Sequence, residues 1–262
     1  YRLPKGFTLS DYQNHCLEKI EKRFSKNNDI AAFIMESGAQ MAGGVIIYPK
    51  DFQKKIRELC KKYDILFVLD EIATGFGRLG SMVQYQDQKS IPDIVAYGKM
   101  LTGGYLTMAA TLANKKIYDS FSGEFNDWKH LFHGHTYTGN PIAAAVANEN
   151  LQMYKKYNLI KQVQKTSKIF EKYSQEILDI DIVGDVRHKG MLMGIELVSN
   201  KKKKTPIRTK KSINKVFFEE GKKQGIYLRT LGNIVMLVPP LSIQQNELEL
   251  LLKKTIKTIQ VA

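Results

Sequence analysis

Ile65-Leu66-Phe67-Val68-Leu69-Asp70-Glu71 is a run of five apolar residues closed by two acids. A run this short and this continuous reads as a strand buried on both faces, the condition of strands in parallel sheets. The pattern recurs on either side. Upstream lie the apolar run Ile30–Met35, the pair Gly43-Gly44 and a helical stretch from about Pro49 to Tyr63. Downstream, Ile94-Val95-Ala96-Tyr97 runs into Gly98-Lys99, and a fourth candidate strand lies near Met108–Leu112. Strand, helix, strand at this rhythm predicts an α/β fold with a mostly parallel sheet. Ligands of such sheets sit beyond the carboxyl ends of the strands. Asp70 and Lys99 both fall there, each directly after an apolar run, so both are expected to reach one crevice.

Further out, residues 11–26 carry a helical pattern with Leu17, Ile20 and Phe24 on one face. Residues 141–157 read as an alanine-rich helix opened by Pro141, a good first helical residue. Beyond it the texture changes. One helix is expected over 158–178, strands within 183–198, and a helix over 211–224. Ile226–Arg229 and Ile234–Val238 are expected to pair as strands, Pro239-Pro240 ends them, and Asn246–Ile259 closes the chain as a helix. The division predicted is 1–157, part of a large α/β domain, and 158–262, a smaller α+β domain with an antiparallel sheet.

The bulk of the sequence is ordinary for a globular protein: 43% hydrophobic and 25% charged over 262 residues. No run approaches the roughly 18–20 apolar residues of a membrane span, and the polar, turn-like first residues are not expected to be a signal peptide. The net charge of +14 is spread along the whole length. Its one dense run, Lys201–Lys204 continuing to Arg208, Lys210 and Lys211, lacks interleaved aromatics and reads as a solvated loop, not a nucleic-acid surface. Two cysteines, Cys16 and Cys60, give no disulfide framework, and a cytoplasmic location is expected. Cys60 shares an apolar helical stripe with Phe52, Ile56, Leu59 and Tyr63, so burial is its expected role. No metal-ligand spacing is found.

Two residues carry the chemistry. Lys99 follows a strand and a glycine and precedes Leu101-Thr102-Gly103-Gly104; a partly buried lysine there has its charged form disfavoured, which makes its amine nucleophilic. An acid closing an apolar strand, as Asp70 does, is costly without a partner. A pyridinium nitrogen is one such partner; a helix N-cap or an ion pair is another.

The segment Leu69-Asp70-Glu71-Ile72-Ala73-Thr74-Gly75-Phe76-Gly77-Arg78, with Lys99 placed 29 residues after Asp70 in Gly-Lys-Met-Leu-Thr-Gly-Gly, closely resembles the class III aminotransferases. These are pyridoxal-phosphate enzymes of fold type I. Phe132-His133-Gly134-His135-Thr136-Tyr137-Thr138-Gly139-Asn140-Pro141 is similar to a further segment of the family, and the best match is its biotin-synthesis branch. The resemblance implies roles for individual residues. Lys99 is the covalent anchor of the cofactor and shuttles the proton. Asp70 pairs with the ring nitrogen. The Thr136 hydroxyl binds the cofactor phosphate across a homodimer interface, where Gly134 and Gly139 permit close approach. Arg229, in Tyr227-Leu228-Arg229, grips a substrate carboxylate, and Gly134 is also expected to lie at the substrate. Glu36 stands as a candidate for an outer supporting role or as a plain strand-end acid. The family's phosphate-cradling glycine-serine turn and its stacking aromatic are not found before Asp70, so the chain is expected to be about the last three-fifths of a family member.

Overall fold

The computed structural model describes residues 3–207 and 212–261. Helix α1, Leu9–Lys26, is opened by a reciprocal cap between Thr8 and Asp11 and buries Phe24. Strand β1, Ala32–Glu36, leads to a small hairpin of β2, Ala39–Gln40, and β3, Ile46–Ile47. Helix α2, Phe52–Lys62, buries Gln53, Ile56 and Cys60, and burial pushes the Cys60 thiol up to about 11, far from a reactive thiolate.

Strand β4 is Leu66–Asp70, the short helix α3 is Gln84–Asp87, and β5 is Ile94–Tyr97. A 3-10 turn over Lys99–Thr102 and strand β6, Ala110–Ala113, follow. These strands form one sheet in the order β1-β4-β5-β6; β1, β4 and β5 run parallel, and β6 joins β5 antiparallel. Phe67 and Leu69 of β4 are fully buried. The run upstream of it behaves differently. Among the described residues β1 pairs on one side only, and Ile34 is 68% exposed. Phe33 and Met35 pack on the core, and Ile34 lies on the opposite face, which no described residue covers.

Helix α4 is Lys115–Ser120, and α5 is Pro141–Lys156. The Asn140 side chain caps α5 by accepting from the N–H groups of Ile142 and Ala143. The helix expected over 158–178 is two: α6, Leu159–Thr166, and α7, Lys168–Asp179. The chain turns at Ser167, which lets Val163 of one and Phe170 and Ile177 of the other face the same core.

The C-terminal part holds β7, Val183–Lys189, β8, Leu192–Asn200, β9, Thr205–Pro206, helix α8, Ile213–Lys223, strands β10, Arg229–Leu231, and β11, Ile234–Leu237, and helix α9, Gln245–Val261. The sheet is antiparallel, in the order β10-β11-β8-β7, with β9 on β8. Its hairpin strand begins at Arg229 and not at Ile226, because 226–228 return from α8 and Leu228 is buried under it. Lys201–Lys204 form the turn between β8 and β9, where Lys201 bonds the carbonyls closing α7. Arg208, Lys210 and Lys211 lie outside the described residues. One hydrophobic cluster runs from Phe67 and Leu69 to Ile195 and Leu248, joining both sheets. Among the described residues no helix is long and apolar enough to cross a membrane.

Candidate active site

A cavity of about 690 Å³ opens at the carboxyl ends of β1, β4 and β5. Asp70 is the last residue of β4 and the register partner of Glu36 on β1; both line the cavity. The Asp70 carboxylate accepts the Ile72 N–H at 2.8 Å, so the chain turns away and the acid stays at the strand mouth. Glu71, next to it, points the other way. It is fully buried and accepts the N–H groups of Gln84 and Tyr85 at 2.9 and 2.7 Å. Burial raises its carboxyl above the usual range.

Lys99 lines the same cavity from the end of β5. Gly98 is fully extended and packs on Ile72, where a Cβ would come within 3.2 Å of a methyl group. Lys99 itself has φ +43°, the left-handed region. Such backbone strain persists only where surroundings fix it. Here Asn150 of α5 donates to the carbonyls of Met100 and Leu101 at 2.7 and 3.1 Å. The expectation of a partly buried lysine is corrected: Lys99 is exposed, because the cavity is open above it.

Arg229 reaches the cavity from β10, with Tyr227 just before it. Leu231, Met236 and Val238 continue this wall as an apolar strip. Thr136 and Gly134 are not among these residues. They lie in an exposed loop before α5, and around Gly134 there is open space.

One further cation, Arg78, closes the motif that follows β4. Arg78 is 7% exposed and lines the cavity floor. It donates to the carbonyls of Met191 and Pro239 at 2.8 and 2.6 Å and to the Met100 sulfur at 3.6 Å. Burial pushes it down to about 10, still charged at neutral pH. The signal available in sequence was a cation among residues otherwise suited to burial, Phe76 and Leu79. With Arg78, Lys99 and Arg229 set against Glu36 and Asp70, the lining holds an excess of positive charge, which suits an anionic ligand.

The chain belongs to the class III aminotransferases: the family model "Aminotransferase class-III" matches residues 2–259. It is 41% identical over 247 residues to the adenosylmethionine-8-amino-7-oxononanoate aminotransferase of Staphylococcus aureus, covering 94% of this chain and 54% of that one. The enzyme of the same name from Aquifex aeolicus is 40% identical over 232 residues, covering 88% and 51%. Among solved structures, the adenosylmethionine-8-amino-7-oxononanoate aminotransferase of Methanocaldococcus jannaschii superposes with TM-score 0.89 at 38% identity, covering 94% of this chain and 57% of that chain. The chain thus spans about half the length of the relatives it matches.

The fold is that of fold type I pyridoxal-phosphate enzymes. An omega transaminase of Pseudomonas jessenii in complex with PMP superposes with TM-score 0.92 at 28% identity, covering 100% of this chain and 58% of that one. The donor set here suits such a cofactor. One primary amine can take an aldehyde, and one carboxylate can face a pyridinium nitrogen, across the mouth of adjacent strands. The cavity lining contains no hydroxyl side chain other than Tyr227 for a phosphate.

Proposed function

We propose that this chain carries the amino-transferring site of an enzyme of biotin synthesis. It would convert 8-amino-7-oxononanoate to 7,8-diaminononanoate, with S-adenosylmethionine or lysine as donor. The observation that carries the reading is the convergence of Asp70, Lys99 and Arg229 on one cavity. The identity of about 40% to enzymes of that name supports the substrate. Residues 1–157 and 158–262 are taken as the two lobes, divided between α5 and α6.

Pyridoxal phosphate, when bound, supplies an aldehyde carbon and an electron-withdrawing ring. The remaining work falls to the protein. The Lys99 Nζ anchors the cofactor and then moves the proton removed from the substrate carbon. The Asp70 carboxylate holds a proton on the ring nitrogen by opposing its charge. The Arg229 fork takes the substrate carboxylate, and Leu231, Met236 and Val238 shelter its methylene chain from water. Thr136 serves the phosphate of a second copy in a homodimer, with Gly134 at that copy's substrate; the enzyme works in the cytoplasm.

A second reading is an ω-amino-acid or diamine aminotransferase. Its support is a 34% identity over 257 residues to an enzyme of Solanum lycopersicum named "Gamma aminobutyrate transaminase 3, chloroplastic". A screen of S-adenosylmethionine, lysine and 4-aminobutyrate as donors separates the two. Borohydride reduction of the full-length holoenzyme and peptide mapping test the site itself. The cofactor mass is expected on Lys99; its recovery on another lysine overturns the assignment.

A further inference from the structure

Residues 41–45 cross between β2 and β3 and wall the cavity through Met41 and Ala42. Charged side chains hold this stretch from two sides. From the end of β1, the Glu36 carboxylate accepts the Met41 N–H at 2.8 Å and the Ala42 N–H at 3.4 Å. From β7, Arg187 donates through Nε to the Val45 carbonyl at 2.7 Å and through Nη2 to the Gly44 carbonyl at 2.5 Å. Arg187 is itself aimed by Asp185 and Glu196, at 2.8 and 3.0 Å.

The turn between the two anchors is tight. The Met41 carbonyl accepts the N–H groups of Gly44 and Val45. Val45 is fully buried at φ +57° and rests on Gly194 of β8, where a Cβ would come within 2.7 Å of the Val45 Cβ. Glu36 belongs to the parallel sheet and Arg187 to the antiparallel one. The wall is therefore referenced to both sheets at once. Retreat of this wall on ligand entry would break these bonds, so the side chain it presents bears on what fits.

We propose that Glu36 and Arg187 are positioning residues that fix the 41–45 wall, and that Met41 on this wall limits the bulk of the substrate chain the cavity accepts. The proposal rests on the reading of the cavity as a substrate carboxylate site. Its test does not need turnover, so a failure of the aminotransferase reading is seen separately, as absence of activity with every donor. Full-length cofactor-loaded enzyme is titrated calorimetrically with octanoate and with a methyl-branched octanoate. Wild type is expected to favour the straight acid. Met41→Ala is expected to improve the relative affinity of the branched acid about tenfold, the scale of one added methyl group in a pocket. An unchanged ratio, or no binding of either acid to either form, overturns the role of Met41.

The clamp is read by amide hydrogen exchange. Glu36→Ala is expected to speed exchange at Met41 and Ala42 at least tenfold, with protection in β4 unchanged, and Glu36→Gln to restore part of it through its remaining acceptor. Arg187→Met frees the Gly44 and Val45 carbonyls and is expected to loosen the turn, read as faster exchange of the Gly44 and Val45 amides that donate to the Met41 carbonyl. Unchanged exchange at these amides overturns the clamp.

Discussion

Residues 66–102 and 121–139 are near neighbours in the chain and treat most of their large side chains in opposite ways. In the first stretch Phe67, Leu69, Phe76 and Tyr97 are buried, and its polar groups bond to distant parts of the chain, as Arg78 does to Pro239. In the second, Phe125, Trp128, Phe132 and Tyr137 are 72–83% exposed. Their ring contacts are with each other and with His130 and His135, the tightest being His130 to Phe132 at 4.0 Å between centroids. Aromatic surface of this kind is where a covering partner or chain segment is expected. The first stretch supplies cavity-lining residues, and the second lies outside the cavity with its aromatic side chains facing outward.

The largest expected effect lies in the first stretch. Lys99→Ala in the holoenzyme should cut turnover by about 10²–10⁴-fold or more, the range for a single proton-transferring group. In the cofactor-free protein its urea midpoint should stay at the wild-type value, since Lys99 is exposed. Retained turnover would break the division drawn above.

Arg78→Met probes stability in the same stretch. It leaves the Met191 and Pro239 carbonyls without a donor, at a cost of about 1–3 kcal/mol each. Urea unfolding should report the loss; a variant as stable as wild type would show that this contact does not hold the two sheets together.

The second stretch is probed by Thr136→Ala, expected to weaken cofactor affinity by about 1–3 kcal/mol if its hydroxyl meets a phosphate. A mixed dimer of one Thr136→Ala subunit with one Lys99→Ala subunit sharpens the point. The lysine-bearing site then receives its threonine from the other copy and should bind cofactor normally. Binding as poor as in the Thr136→Ala homodimer would place Thr136 at its own site.

The smallest effect belongs to neither stretch and serves as a control. His188 on β7 packs against Phe170, and burial holds it below its ordinary value of 6.5. The unfolded chain therefore binds the proton more readily. The stability from the neutral ring is present above pH 6.5 and is lost as pH falls through 6.5 toward the folded value. Thermal melts at pH 7.5 and 5.5 should differ, and His188→Asn should narrow the gap.

The parts of the fold legible in sequence are those fixed by local composition. The runs 65–69 and 94–97 became β4 and β5 because five or four apolar residues in a row have no solvent face to offer. The apolar run 30–35 looked the same, yet β1 buries one face and leaves Ile34 on the other exposed, since what covers a face depends on elements distant in sequence. The break at Ser167 was hidden by a helical period that continues through it. Asp70 and Lys99 were legible because each closes a strand. The partners of Arg78 lie 113 and 161 residues away, and the 41–45 wall depends on Arg187 about 142 residues on. No local pattern carries such bonds.

The sheet order has a colloidal consequence. Among the described residues β1 and β6 each pair along one side, and both leave apolar side chains outward, Ile34 at 68% and Leu112 at 54% exposure. An open strand edge is a template for another strand. A molecule with one such edge can stop growing at a pair, whereas a molecule with several can grow on. The antiparallel sheet adds open sides at β10 and β7, so residues 1–262 are multivalent monomers in the polymer chemist's sense. Loss of such preparations from solution should follow concentration steeply, and a peptide that seals one edge should slow it without stopping it.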